Sequence, residues 1–401
     1  MANSLLTPTV IANELLMRFK NNLAFASACS HEYDDRFDKI GDTYNLRVPA
    51  RFVANNGSDI TSAIQDVTEL SKPLQINQQK NVAFQFSSKD LTLTIDRFAD
   101  RYLNSAAVSL ANIFETDGLT LAYQKSTNFV GAPGTTPNTA TVILQAGQKL
   151  DESACPVDGQ RSLIINPAAQ ASMVDTLKGL FQNSSAISKQ YSTGRMGTAL
   201  GFDWMMSQNV RSLTVGTWGG TPVTAGASLE GDTTVAISGL GASGTISAGD
   251  KFTIAGVFAV NPVSGDVLPS LQTFTVLTAA TASAGAVTVQ VSPEIRAANL
   301  GRKTVSALPA GGATITRLTG TPGTAYAQNI AVHKEAFCYA TVPLELPKST
   351  HFGSRAIDKD TGLSIRIVSQ YSILTDVFIT RCDIAYGWAA KRPEWSTVIT
   401  G

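Results

Sequence analysis

The stretch DKFTIAGV, residues 250–257, alternates apolar and polar side chains and then breaks at a glycine. Alternation of this kind suits a strand buried on one face, because successive side chains point to opposite sides. TTVAISGL (233–240), QTFTVLTA (272–279) and AVTVQVSP (286–293) repeat the pattern, and Gly, Pro or Ser separates each from the next. From Gly219 to about Ala325 charges are sparse and Thr, Val, Ala and Gly dominate. The segment is expected to form a small all-β barrel or sandwich. Mixed α/β patterning precedes it and a different strand-rich region follows, so it reads as an insertion.

On its N-terminal side, RSLIIN (161–166) is expected as a buried strand. Asn166-Pro167 then caps a helix to about Phe181 that carries Met173, Val174, Leu177 and Phe181. Thr136-Pro137 is expected to open the helix before the strand, which makes an α/β unit. Upstream, residues 97–125 predict one long helix with Tyr102, Ala106, Leu110, Ile113, Phe114 and Leu121 along one side. At ~1.5 Å per residue it would span about 40 Å, a length that suits a spine. On the C-terminal side AFCYATVPLEL (336–346), LSIRIVSQYSI (363–373) and DVFITRCDIAYGWAAK (376–391) predict long strands.

The first quarter of the chain is patterned differently. Thr7 and Pro8 start a helix, and Ile11, Leu15, Phe19 and Leu23 give it one apolar stripe. Residues 31–96 read as extended segments with a turn at Asn56-Gly57 and little to fill a core. A two-stranded excursion is marginal alone in water. The arm is therefore expected to lie on something, either its own domain or a sister copy. Ile11, Leu15 and Phe19 are candidate inter-subunit contacts on this ground. Arg51, Asp59, Glu69 and Lys72 are candidate inter-subunit ion pairs, each worth ~0–1 kcal/mol if exposed, so they would set register more than strength.

Composition narrows the function. The 401 residues include 31 Lys+Arg and 31 Asp+Glu, a formal net charge of zero, with 43% hydrophobic residues. Such a chain can build real cores, and it lacks the basic excess of a duplex-DNA reader. Four separated cysteines without a Cys-x-x-Cys pair predict free thiols in a reducing compartment. The start MANSLLTPTV lacks the blocks of a signal peptide, and no apolar run approaches a membrane span.

Chemical motifs are equally scarce. Gly194, Gly197 and Gly201 in STGRMGTALGFDW (192–204) lack the spacing and the lysine of a phosphate loop. They are expected to supply positive φ where strands begin. His31, His333 and His351 have no motif around them, HEYDDRFD (31–38) reads as a solvated acidic turn, and IDKDTG (357–362) as a hairpin turn rather than a calcium loop. No nucleophile with its base is visible. No catalytic residue, cofactor or metal site is expected.

The order of elements resembles the major capsid proteins of tailed double-stranded-DNA phages, the Hong Kong 97-type fold. The β insertion is similar to that of the short-tailed Salmonella-type phage coat proteins. Three stretches carry the resemblance: SAGDKFTIAGVFAVNP (247–262), YGWAAKRPEW (386–395) and LIINP (163–167). The resemblance implies an α+β fold with an N-arm helix (1–30), an E-loop region (31–96), a P-domain with spine helix (97–134) and an A-domain (135–218). An inserted β domain (219–325) and the C-terminal A- and P-domain strands (326–401) follow. It implies self-assembly through pentamers and hexamers into an icosahedral shell around the phage DNA, assembled in the host cytoplasm. Scaffolding and portal proteins, a decoration protein and DNA held without sequence specificity are the implied partners. Lys72 and Lys80 lie in the arm, but no crosslinking partner is identified. A tail component, an adhesin and a hydrolase without a familiar motif are the alternatives.

Overall fold

The computed structural model describes residues 8–20, 23–32, 43–48, 52, 64, 70–87, 104–177, 197–298, 303–347, 352–358 and 361–400. In chain order the elements begin with α1 (Pro8–Lys20), β1 (Thr43–Val48), β2 (Leu70–Gln75), β3 (Gln78–Ser87), α2 (Asn104–Lys125) and β4 (Asn128–Val130). Next come α3 (Ala140–Glu152), β5 (Arg161–Ile165), α4 (Pro167–Leu177), β6 (Thr198–Ala199), β7 (Phe202–Met206) and β8 (Ser212–Thr214). The inserted segment carries β9 (Val223–Thr224), β10 (Asp232–Ser238), β11 (Thr245–Ile246), β12 (Lys251–Val260), β13 (Val267–Val276), β14 (Ala280–Thr281), β15 (Val287–Ile295) and β16 (Ile315–Arg317). The chain ends with β17 (Ala325–Ala327), β18 (Asn329–His333), β19 (Phe337–Thr341), β20 (Phe352–Ile357), β21 (Ser364–Ser372), β22 (Val377–Ala390) and β23 (Ser396–Ile399). These form two compact units: Met1–Leu46, Lys72–Gly118 and Phe337–Ala389 in the first, and Arg47–Ser71, Leu119–Ala336 and Ala390–Gly401 in the second.

The first unit is built on a sheet of order β19-β22-β21-β20, with β3 also paired to β22. Phe114 of α2 is its hub: the rings of Phe19, Tyr339, Tyr386 and Trp388 lie 5.8, 5.5, 4.8 and 4.9 Å away. Burying each such ring is worth about 1.5–3 kcal/mol. Gly118 permits this packing, because a Cβ there would sit 2.7 Å from the Trp388 ring. The helix accepts the loss of helix propensity to gain the close approach.

Three expectations are corrected here. Leu15 and Phe19 are fully buried inside their own unit, where α1 packs on β20 and β21. The stripe thus finds an apolar partner on its own chain, and the side chain of Ile11 lies outside those described. Secondly, β3 is not part of a free excursion. It pairs with β22 from Gln78↔Tyr386 to Ser87↔Val377. Thirdly, the root of the arm fills core after all, since Leu46, Leu74 and Ile76 are buried with Cys338, Ala340, Val342 and Ala385. On α2, Ile113 is exposed rather than packed, and its expected first turn at 97–103 lies outside the described residues.

The second unit holds a sheet of order β4-β23-β18-β5-β7-β6. Every residue of β5, β18 and β23 is buried. That is why Leu163–Ile165 of β5 and Ile330–Val332 of β18 are apolar without alternation. The Asn166 side chain caps α4 by accepting the Ala169 N–H at 2.8 Å, as expected, while α3 begins at Ala140, later than Thr136-Pro137 suggested. Gly197 and Gly201 have the expected positive φ, 64° and 82°, around the β6–β7 hairpin, and Gly194 lies outside the described residues.

The inserted strands form a sheet of order β16-β12-β13-β15-β10-β9. Its two ends meet at a Val223↔Thr314 bridge, with the Ile315 N–H bonded to Pro222 O at 2.9 Å. The sheet is therefore barrel-like, and closure leaves few open edges. Trp218, Phe252, Ile254, Phe274, Val289 and Val291 lie in its core. The glycine that breaks the alternation in DKFTIAGV is Gly256, at φ 80°, where β12 shifts register against β13. β8 and β17 pair as a two-stranded neck through which the chain enters and leaves the barrel.

Candidate assembly surfaces

Each of the stretches that carried the family resemblance has a physical job. In YGWAAKRPEW, Gly387 lets Gln75 approach, since a Cβ there would lie 2.1 Å from the Gln75 carbonyl oxygen. Tyr386 donates to Asp117 at 2.7 Å, and burial pushes its phenol far above the ordinary tyrosine range. Further along, Lys391 pairs with Glu335 and the Arg392 guanidinium lies 4.2 Å over the Trp395 ring. Pro393 O accepts the Thr127 N–H, and Glu394 O accepts Asn128 Nδ2 at 2.9 Å. In LIINP the cap at Asn166 is joined by a bond from the Asn166 N–H to Asn329 Oδ1 at 2.8 Å. In SAGDKF both charged residues are fully buried.

The most exposed large apolar side chains of the first unit cluster at one place. The β21–β22 hairpin turns between Ser372 and Val377, and Ile373 and Leu374 at its tip are 84% and 97% exposed. The tip is a held structure. Tyr371 donates to Asp376 Oδ1 at 2.8 Å, its ring lies 4.9 Å from Phe378, and Thr375 bonds Ser372 at 2.8 Å. Two adjacent aliphatic side chains are thus displayed on an ordered turn.

The same sheet carries a charged row. Arg355, Arg366, Asp383 and Asn81 stand opposite one another across β20, β21, β22 and β3. Asp383 is fully buried, and its Oδ2 receives Arg366 Nη2 at 2.6 Å while its Oδ1 receives Arg381 Nε at 2.5 Å. Arg355 is exposed and, among the described residues, has no ionic partner. One buried carboxylate thus holds two guanidinium groups, with Arg355 beyond Arg366 in the same row.

Of the residues expected at subunit contacts, Leu15 and Phe19 are core. Lys72 is half-buried on β2, and Arg51, Asp59 and Glu69 lie outside the described residues. Sequence reading missed the hairpin tip, although its signal was present: Ile373 and Leu374 occupy a turn where polar residues are usual.

His333 does meet a carboxylate. Its Nε2 lies 3.2 Å from both oxygens of Asp158, and its Nδ1 accepts the Glu335 N–H. Both ring nitrogens are committed, with Trp395 edge-on at 5.2 Å, so the imidazole ties the end of β18 to the loop before β5. Desolvation raises the Asp158 pKa, but bonds from the Gln160 N–H and His333 outweigh it and hold the carboxyl below its ordinary value. Among the described residues no group of His, Cys, Asp and Glu is arranged to hold a metal ion, and no helix is long and apolar enough to cross a membrane.

Comparison with known proteins completes the picture. A family model described as "P22 coat protein - gene protein 5" matches residues 1–401. A search of curated proteins returns no match. Among solved structures, one of Mycobacterium phage Che8 is similar at 13% identity and TM-score 0.48, covering 94% of this chain and 90% of that one. The asymmetric unit of the bacteriophage PhiM1 mature capsid is similar at 10% identity and TM-score 0.42, covering 94% and 87%. The CUS-3 coat protein I-domain is 28% identical over 25% of this chain and 98% of its own, with a TM-score of 0.20. Matched along its whole length, the chain belongs to the P22 coat protein family and is a major capsid protein, a structural subunit that self-assembles into the shell of the phage virion.

Proposed function

We propose that this subunit closes an icosahedral shell of pentamers and hexamers around double-stranded DNA in the host cytoplasm, with scaffolding and portal proteins as assembly partners. The capsid's chemistry is then adhesion between copies, and the chain performs no catalysis. DNA is met through its backbone, without base reading. Residues 1–30 act as the N-arm, 31–96 as the E-loop region, 97–134 as the P-domain with the spine, 135–218 as the A-domain, 219–325 as the inserted domain, and 326–401 as the closing strands. Residues Arg51, Asp59, Glu69 and Lys72 remain candidates for ion pairs between copies. A decoration protein would bind the finished shell.

The observation that carries this reading is the β21–β22 hairpin tip, where Ile373 and Leu374 stand exposed on a turn ordered from behind. Each copy meets several others, so weak apolar contacts combine into a stable particle. The experiment is the double substitution Ile373→Asp with Leu374→Asp, followed by circular dichroism and electron microscopy with scaffolding protein present. Folded subunits that no longer close into shells are expected. Shells of wild-type yield and shape would refute the role of the tip.

A further inference from the structure

Lys251 is a lysine with no exposed surface, at the first position of β12 in the barrel. Its Nζ donates to Ser126 O at 2.7 Å, to Tyr123 O at 3.2 Å and to Thr275 Oγ1 at 3.2 Å. Thr275 in turn donates to the same Ser126 O at 2.7 Å. Tyr123 belongs to the last turn of α2, and Ser126 follows its end. The last carbonyls of a helix have no partner within it and carry the negative end of its dipole. A buried cation is costly unless it is satisfied by such acceptors. Lys251 and the helix terminus therefore each supply what the other lacks. The barrel also presses closely here: a Cβ on Gly249 would lie 3.2 Å from the Tyr123 ring.

The neighbouring Asp250 faces a different job. Its Oδ2 accepts the N–H groups of Gly216 at 3.1 Å and Ser247 at 2.8 Å, and its Oδ1 accepts Thr319 Oγ1 at 3.1 Å. It ties the segments entering and leaving the barrel to each other. Two adjacent residues thus divide the work, one closing the neck and one engaging the helix.

We propose that Lys251, with Thr275, is the positioning residue that fixes the orientation of the inserted barrel on the end of the spine helix in this capsid subunit. The barrel has its own core, so losing the clamp frees the barrel to swing without unfolding it. The clamp is independent of which surfaces join copies. The charges around it are Asp250 beside it, Arg317 acting on Asp250, Arg211 acting on Tyr123, and Lys125 in the last turn of α2. Desolvation lowers Lys251 to about 7, with Asp250 opposing, so its proton is exchangeable near neutrality.

The test compares full-length wild type with Lys251→Met and Thr275→Val by residue-resolved hydrogen exchange and by electron microscopy of assembled particles. Expected are unchanged protection at Gly249, Phe252, Ile254, Phe274 and Val289, with exchange at Ser126 and Thr127 accelerated about tenfold or more in Lys251→Met and less in Thr275→Val. Irregular particles are expected from the first variant, and a pH-dependent protection at the junction around pH 7 in wild type and Thr275→Val but not in Lys251→Met. Wild-type protection at the junction in both variants would overturn the clamp, whatever the particles look like. Should Lys251→Met fail to fold, Thr275→Val alone decides: faster junction exchange over an intact barrel supports the clamp, and unchanged exchange refutes it.

Discussion

The carboxylate of Glu115 accepts the backbone N–H of Phe25 at 2.6 Å, across 90 residues of sequence, and that of Ala24 beside it. Glu115 is buried on the spine helix, so a single charge holds the segment after α1 where Phe25 can stack on Trp388 at 5.4 Å. An unsatisfied buried N–H costs about 1–3 kcal/mol. Glu115→Ala strands two of them and is expected to lower subunit stability by about 2–5 kcal/mol in urea titration. Glu115→Gln keeps an acceptor oxygen and loses only the charge, so a drop of about 1 kcal/mol is expected.

Close backbone approach explains Gly387 and Gly118, and both can be tested with one added methyl group. Gly387→Ala drives a Cβ to 2.1 Å from the Gln75 carbonyl oxygen, which is backbone and cannot rotate away. Gly118→Ala meets the Trp388 ring at 2.7 Å, but gains about 1 kcal/mol of helix propensity. Thermal melts are expected to rank Gly387→Ala as the more damaging, with losses of about 1–3 kcal/mol or more. Equal stability of the two variants would contradict the packing described.

The pH dependence of stability follows from Lys251. Its folded pKa of about 7 lies well below the ordinary lysine value of 10.5. Between those values the unfolded chain holds a proton that the folded chain has released. The contribution of Lys251 to stability therefore rises with pH above about 7 and is flat below it, while the raised thiols of Cys155 and Cys382 oppose it above about pH 9, so its slope is read between about pH 7 and 8.5. The slope has a ceiling of about 1.4 kcal/mol per pH unit. Denaturant midpoints across that range are expected to lose this slope in Lys251→Met.

All four cysteines are free and buried. Burial pushes the Cys155 thiol up to about 11 and the Cys382 thiol to about 12, with Arg161 partly opposing at the first and Asp383 adding at the second. Thiolate is the reactive species, so at pH 8 Cys155 is expected to react with iodoacetamide about 100-fold more slowly than an unperturbed thiol. Mass spectrometry should find both sites labelled quickly only after unfolding.

Much of the architecture was legible because it follows from local pattern. The alternation in DKFTIAGV, TTVAISGL and AVTVQVSP marked barrel strands, and the apolar run Leu163–Ile165 within RSLII marked a buried strand. Asn166-Pro167 announced its helix through capping chemistry alone. The candidate contacts were less legible. The stripe Leu15 and Phe19 says that a partner is needed, and one apolar partner satisfies it as well as another. Only the folded chain shows that Phe114 is that partner.

By itself, the order of residues determined the α+β class, the inserted strands and the absence of familiar catalytic spacings, since each depends on neighbours a few positions apart. The tertiary structure alone decided that the barrel closes at Val223 and Thr314, that Glu115 anchors a segment 90 residues away, and that Lys251 meets the end of the spine helix. Such pairings depend on which distant groups share a desolvated space. A one-dimensional pattern states the need of a buried charge or an apolar face, and only packing in three dimensions selects what meets it.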